Sequence, residues 1–168
     1  MLLDKWDFRF LELAAHISEY SKDRTKIGAV IVRPDNTISS VGYNGLPPGI
    51  DDEAYLKDRN LKNSFILHAE ENAILSAKDS SLEGFSIYAW GLHVCPHCTS
   101  QIIRKGIKKV YSVLACDSPD WSAPGILSNK LLEECGIDNH HYDISDYNKM
   151  RHEFNLKKDY YANTSKEV

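Results

Sequence analysis

Four short apolar segments constrain the fold more than anything else in this chain. They are IGAVIV (Ile27–Val32), ISSVGY (Ile38–Tyr43), FSIYAW (Phe85–Trp90) and KKVYSVL (Lys108–Leu114). Each has strand length, and the first is almost unbroken in its apolar character, the pattern of a strand covered on both faces. RPDNT (Arg33–Thr37) separates the first two with turn chemistry, so they read as a hairpin. From His68 onward helical segments alternate with strands: HAEENAILSAK (His68–Lys78), PHCTSQIIRK (Pro96–Lys105) and GILSNKLLEEC (Gly125–Cys135). IDNHHYD (Ile137–Asp143) adds a short fifth strand. Trp6, Phe10, Leu13, Ile17 and Tyr20 share one face of a first helix, which Asp4 can cap. Pro96 suits the first turn of its helix and Gly106 the end. This order predicts an α/β chain, a three-layer α/β/α fold around a central five-stranded mixed sheet, with residues 1–144 as one domain. A polar loop is expected from Asn44 to Ser64. Residues 145–168 read as a polar and aromatic tail, a candidate helix for packing or assembly.

With 168 residues, 42% of them hydrophobic, the chain is long enough to bury a core without staples. The formal net charge is −4, and no basic tract runs longer than the cluster Arg104, Lys105, Lys108 and Lys109. That argues against a long nucleic-acid partner, whose phosphates need a basic footprint. A small phosphorylated substrate needs one or two cations and stays open. The N-terminus, MLLDKWDFRF, has no apolar core of signal-peptide length, and no stretch reaches the roughly 18 apolar residues of a membrane helix. The expectation is a cytoplasmic protein, away from membranes, with reduced thiols. Of its four cysteines, Cys116 and Cys135 read as small buried apolar residues. Cys95 and Cys98 form a close pair, which in a reducing compartment points to metal or catalysis.

Taken by itself, VCPHC (Val94–Cys98) allows two chemistries, a reactive dithiol or half of a zinc site. The residues upstream bear on the choice. His68-Ala69-Glu70 opens one helix and Cys95-Pro96-His97-Cys98 opens the next, with a strand between them. Such a crossover can return both helix starts to one end of the sheet, where their dipoles favour thiolates. His68, Cys95 and Cys98 then supply three zinc ligands and leave a fourth position for water, the pattern of a catalytic centre. Glu70 can reach that water without being a ligand. Disulfide chemistry gives His68 and Glu70 no role. A thiol-disulfide oxidoreductase and a non-catalytic zinc-binding module nevertheless stand as rivals. His140 and His141 adjoin on a strand and so point to opposite faces, a poor metal pair. His97 is expected to face solvent, and His93 is a candidate for the pocket wall.

His-x-Glu followed by Pro-Cys-x-x-Cys is the signature of zinc-dependent nucleobase deaminases, which this chain carries except for the proline. The chain resembles the zinc-dependent cytidine/deoxycytidylate deaminase superfamily, and within it most of all the deoxycytidylate (dCMP) deaminases. SKDRTKIGAVIVRPDNTISSVGYNGLPPGIDD (Ser21–Asp52) resembles that family's first hairpin and the loop after it. HAEENAIL (His68–Leu75) and CPHCTSQIIRKGIKKVY (Cys95–Tyr111) resemble its two zinc helices. Two features depart from the family pattern. Val94 stands where a proline is usual, and the segment Gly84–Cys95 is about one residue longer.

The resemblance implies a cytidine-deaminase-like fold and one catalytic Zn²⁺ per chain, held by His68, Cys95 and Cys98. It implies hydrolytic deamination of dCMP to dUMP and ammonia, with Glu70 as general base and then acid, in pyrimidine metabolism toward dTMP. Asn44 and Ala69 would meet the nucleotide, with Lys22, Arg24 and Lys26 as candidates for its phosphate and His93 beside it. The resemblance also implies a homo-oligomer, in this type often a hexamer. Regulation by dCTP and dTTP, which bring Mg²⁺, is frequent there too. Deaminases of other cytosine nucleosides or nucleotides, of tRNA adenosine or of other amino-heterocycles are the alternatives within the class.

Overall fold

In the computed structural model of the protein, which describes residues 3–116 and 122–164, β1 (Gly28–Val32) is buried along its whole length. Its unbroken apolar sequence is thereby explained, because both faces are covered. β1 pairs antiparallel with β2 (Ile38–Tyr43) on one side and with β3 (Ser86–Gly91) on the other. β3 pairs parallel with β4 (Lys109–Leu114), and β4 parallel with β5 (Asp138–Asp143). The result is the expected mixed five-stranded sheet, in the order β2-β1-β3-β4-β5.

Side chains alternate between two cores, as the pleat dictates. Ala29, Ile31, Ile87, Ala89 and Val110 face one side. There they meet α4 (Ala69–Ser76), α5 (Pro96–Lys105) and α6 (Ser122–Glu134) through Ala73, Ile102 and Leu132. Val30, Val32, Tyr88, Tyr111 and Val113 face the other side, covered by α1 (Lys5–Ser18) and α7 (Ile144–Thr164). Leu11, Ile31, Ile87, Ile102 and Leu132 have no exposed surface, and each such burial stabilises the fold by about 1.5–3 kcal/mol. α1 starts with a capping box: Asp4 accepts from the Asp7 N–H, and Asp7 accepts from the Asp4 N–H. α5 begins at Pro96 and ends at Gly106, whose left-handed backbone (φ +79°) closes the helix.

Two expectations change. The segment 44–64 is not a plain loop but holds α2 (Asp52–Lys57) and α3 (Arg59–Phe65). Asp51 and Asp58 cap them by accepting backbone N–H groups, and neither helix buries a residue, so no apolar period marked them. Cys135 is exposed rather than buried, and Cys116 is half-buried. Cys135 follows the last turn of α6, where Gly136 (φ +66°) turns the chain away. The candidate packing helix after residue 144 is α7, and Met150 and Phe154 pack against the core on the α1 side. Tyr147 is buried, and its ring lies 5.8 Å from Phe8 and 5.2 Å from Trp90.

The approach of α4 to the sheet depends on one glycine. A Cβ at Gly42 would lie 2.3 Å from the Ala69 carbonyl oxygen and 2.4 Å from the Ala73 nitrogen. Only glycine lets α4 lie this close on β2. Ser40 Oγ adds a 2.7 Å hydrogen bond to the Ala73 carbonyl. Among the described residues, no helix is long and apolar enough to cross a membrane.

Candidate active site

His68 is the N-cap of α4 in extended backbone, and its ring makes no cap bond. Reciprocal backbone hydrogen bonds between Gly45 and Leu67 (3.1 and 2.9 Å) clamp the chain just before it. The imidazole turns instead to the start of α5. His68 Nδ1 lies 3.2 Å from Cys95 Sγ and 3.5 Å from Cys98 Sγ. Cys95 is the N-cap of α5, and its sulfur accepts from the Cys98 N–H at 3.4 Å. The crossover through β3 thus brings both helix starts together. A second contact braces them: Gln101 Nε2 donates to Glu71 Oε1 at 3.1 Å. His97 is mostly exposed, as expected, beside that pair.

The three donors fit zinc. Bond lengths of about 2.05 Å to nitrogen and about 2.3 Å to sulfur, at tetrahedral angles, put N and S about 3.6 Å apart. The separations found here are close to that. One imidazole and two thiols are a zinc set, and among the described residues this is the group of potential ligands that converges on one point. A thiol-disulfide role fits poorly, because an attacking sulfur must be reached, yet Cys98 is fully buried and Cys95 nearly so.

The electrostatics suit a metal. Cys95 is drawn down to about 4, first by the Cys98 thiol that hydrogen-bonds it, with help from His68. Cys98 is pushed up, because it holds the shared proton and is buried. The hydrogen bond to Cys95 lifts His68 to about 9. Glu70, two residues into the same turn, is 3% exposed. Burial raises its carboxyl to about 7.

A cleft of about 310 Å³ reaches this centre at His68, with Thr25, Ile27, Asn44, Arg59 and Lys62 along its walls. An outer depression of about 510 Å³ shares Asp23, Arg59 and Lys62 with it and adds Lys22 and Arg24. The structure sorts the candidates found in the sequence. Asn44 lines the cleft, but its amide is committed to the wall. Its Oδ1 accepts from the Ile27 N–H at 2.9 Å, and its Nδ2 donates to the Thr25 carbonyl at 2.8 Å. Lys22 pairs with Asp52 at 2.5 Å. Lys26 donates to the carbonyls of Ser21 (2.6 Å) and Glu19 (3.3 Å). Arg24 faces the outer depression without an ion pair among the described residues. Ala69 is fully buried under β2, and His93 turns toward Ser112; neither lines the cleft.

Two residues escaped the sequence reading. Arg59 lines both cavities and has no ion pair among the described residues. Lys62 stands beside it, held 3.1 Å from the buried Asp23. In the sequence they look like solvated charges of a polar segment, and no local pattern sets them apart.

A family model, the cytidine and deoxycytidylate deaminase zinc-binding region, matches residues 4–114. A protein of Aliivibrio fischeri named as an uncharacterized deaminase in the luxG 3' region is 47% identical over 82% of this chain and 93% of its own. The deoxycytidylate deaminase of Pongo abelii is 35% identical over 79% of this chain and 77% of its own. The crystal structure of the dCMP deaminase of cyanophage S-TIM5 with dCMP and dUMP superposes with a TM-score of 0.64 at 26% identity. It covers 84% of this chain and 99% of that one.

Proposed function

This chain belongs to the cytidine and deoxycytidylate deaminase zinc-binding family of hydrolytic enzymes, and we propose that its substrate is dCMP and its products dUMP and ammonia. The observation that carries the reading is a buried Glu70, with its carboxyl lifted to about 7, beside a His68-Cys95-Cys98 set at the end of a cleft. Arg24 and Arg59, without ion pairs among the described residues, stand at the mouth of that cleft.

Zinc held by His68, Cys95 and Cys98 would lower the pKa of a bound water from about 15.7 toward 7. Glu70 handles the protons. A carboxyl poised near neutral pH accepts one from the attacking water and delivers it to N3 of cytosine as the oxygen adds to C4. It then takes the remaining hydroxyl proton and passes it to the amine as the C4–N bond breaks. Water and dCMP are consumed, and dUMP and ammonia leave. Asn44 shapes the wall on which the sugar would rest by holding residues 25–27 in place.

The phosphate reading rests on which cations are already used. Lys22 is neutralised by Asp52, and Lys26 is spent on carbonyl oxygens. Lys62 is likewise held by Asp23, so Arg24 and Arg59 remain to face a dianion outside the cleft. A guanidinium can grip it with two parallel hydrogen bonds. The presence of both dCMP and dUMP in the cyanophage complex supports a monophosphate. The dUMP formed would feed dTMP supply.

Ammonia release from dCMP, CMP, deoxycytidine, cytidine and dCTP tests the reading, with and without dCTP or dTTP and Mg²⁺. The highest kcat/KM is expected with dCMP. Equal turnover of deoxycytidine would remove the phosphate from the argument. No ammonia from any cytosine compound would overturn the reaction.

A further inference from the structure

His93 stands two residues before Cys95, and the deamination chemistry gives it no part. Its Nδ1 lies 2.9 Å from Ser112 Oγ, which lies 2.5 Å from His141 Nδ1. The three residues come from the turn between β3 and α5, from β4 and from β5. One hydrogen-bonded chain therefore joins three segments distant in sequence. Ser112 is fully buried, and the two imidazoles meet edge to face at 4.9 Å. Gly125 of α6 closes over His93, so near that a Cβ there would lie 3.6 Å from the His93 Cβ.

The chain has a direction. A serine hydroxyl has one proton, so it donates to one imidazole and accepts from the N–H of the other. Both ring positions are therefore specified, not merely packed. The flanking residues hold the turn in a different way. Leu92 and Val94 are buried apolar side chains, which resist lifting but bind in no single orientation. The Gly91 carbonyl accepts from the Ala115 and Cys116 N–H groups at 3.0 Å each, anchoring the turn where it leaves β3. Between Gly91 and Cys95, His93 carries the single polar side chain. Cys95 comes immediately afterwards, as both helix cap and metal donor.

We propose that His93 is a positioning residue: tied through Ser112 to His141, it orients the turn that aims Cys95 Sγ at His68 and Cys98. The tie thereby slows loss of the metal from the centre. The inference rests on the zinc reading of that centre.

The test is transfer of Zn²⁺ from the full-length, zinc-loaded protein to a chromophoric chelator in excess, followed by absorbance, with thermal melting alongside. H93L should release zinc about tenfold faster than the parent, the low end of what supporting hydrogen bonds contribute to metal sites. S112A, a smaller change, should do the same, and the double variant should be no faster than either single one, since both break one chain. H93N, whose amide can occupy the place of Nδ1, should restore slow release. Parent-like release from S112A and H93L, with only the melting temperature lowered, would overturn the inference while leaving the deaminase reading intact. A parent protein that binds no zinc would overturn both.

Discussion

Replacing Glu70 with Gln should stabilise the metal-free fold above neutral pH while removing the activity. An ordinary glutamate titrates near 4.5, and burial lifts Glu70 to about 7. Each pKa unit corresponds to about 1.36 kcal/mol. The fold therefore bears as much as about 3 kcal/mol of penalty once the carboxylate must ionise in place. Glu70 is 3% exposed, so solvent screening removes little of it. Between pH 4.5 and 7 the unfolded chain has released a proton that the native state still holds. Stability then falls as pH rises through that window, and the full penalty persists above it. Gln has nearly the same shape and does not titrate.

The stability difference between E70Q and the parent should therefore grow from near zero at about pH 4.5 to about 3 kcal/mol above about pH 7. Urea unfolding of both metal-free proteins under reducing conditions, at steps across this range, measures it through midpoint and slope. With zinc bound the difference should shrink, because a nearby dication favours the carboxylate. In the zinc-loaded enzyme kcat should fall by about 10²–10⁴ with zinc content unchanged, the range for losing a positioned acid and base. A pH-independent difference between the two proteins would refute the burial argument. Retention of most activity by a zinc-loaded E70Q would refute the proton role.

R59A should lower kcat/KM for dCMP by about 10- to 100-fold, the loss of one charged hydrogen-bonded contact, and leave deoxycytidine turnover unchanged; equal losses on both substrates would place Arg59 elsewhere. G42A forces a methyl group into the α4 backbone. It should cost about 3 kcal/mol, the upper end for overpacking, and lower zinc content by displacing His68, checked by melting and metal analysis. His141 is held down to about 3, chiefly by burial, with His93 and His140 adding to the shift. The unfolded chain takes up a proton below pH 6.5 that the native ring refuses, so stability should drop as pH falls from 6.5 toward 3. H141Q should flatten that acid limb in a melting series; an unchanged limb would mean that other groups set it.

Much of this protein was legible in one dimension. The run Ile27–Val32 read as a central strand, and β1 is buried throughout. His68, Glu70, Cys95 and Cys98 could be singled out by the His-x-Glu and Cys-x-x-Cys motifs and the resemblance these carry, and His68 and Cys95 are the caps of α4 and α5. Alternation in a strand likewise sent His140 and His141 to opposite faces, one stacked on Tyr111 and the other beside His93. Local periodicity and capping carry such information because they depend on residues only a few positions apart.

What the tertiary structure decided lies in contacts across long separations. Lys22 and Lys26 looked equivalent to Arg24 until Asp52 and two carbonyls were found to hold them. Arg59 and Lys62 gained a role only when α3 came to rest on the cleft. His93 looked like a pocket residue beside the motif, and its direction was set by Ser112 and His141, 19 and 48 positions on. A charge or an imidazole announces its chemistry in the sequence. Which partner neutralises or aims it depends on chain segments brought together by folding, and no local pattern encodes that choice.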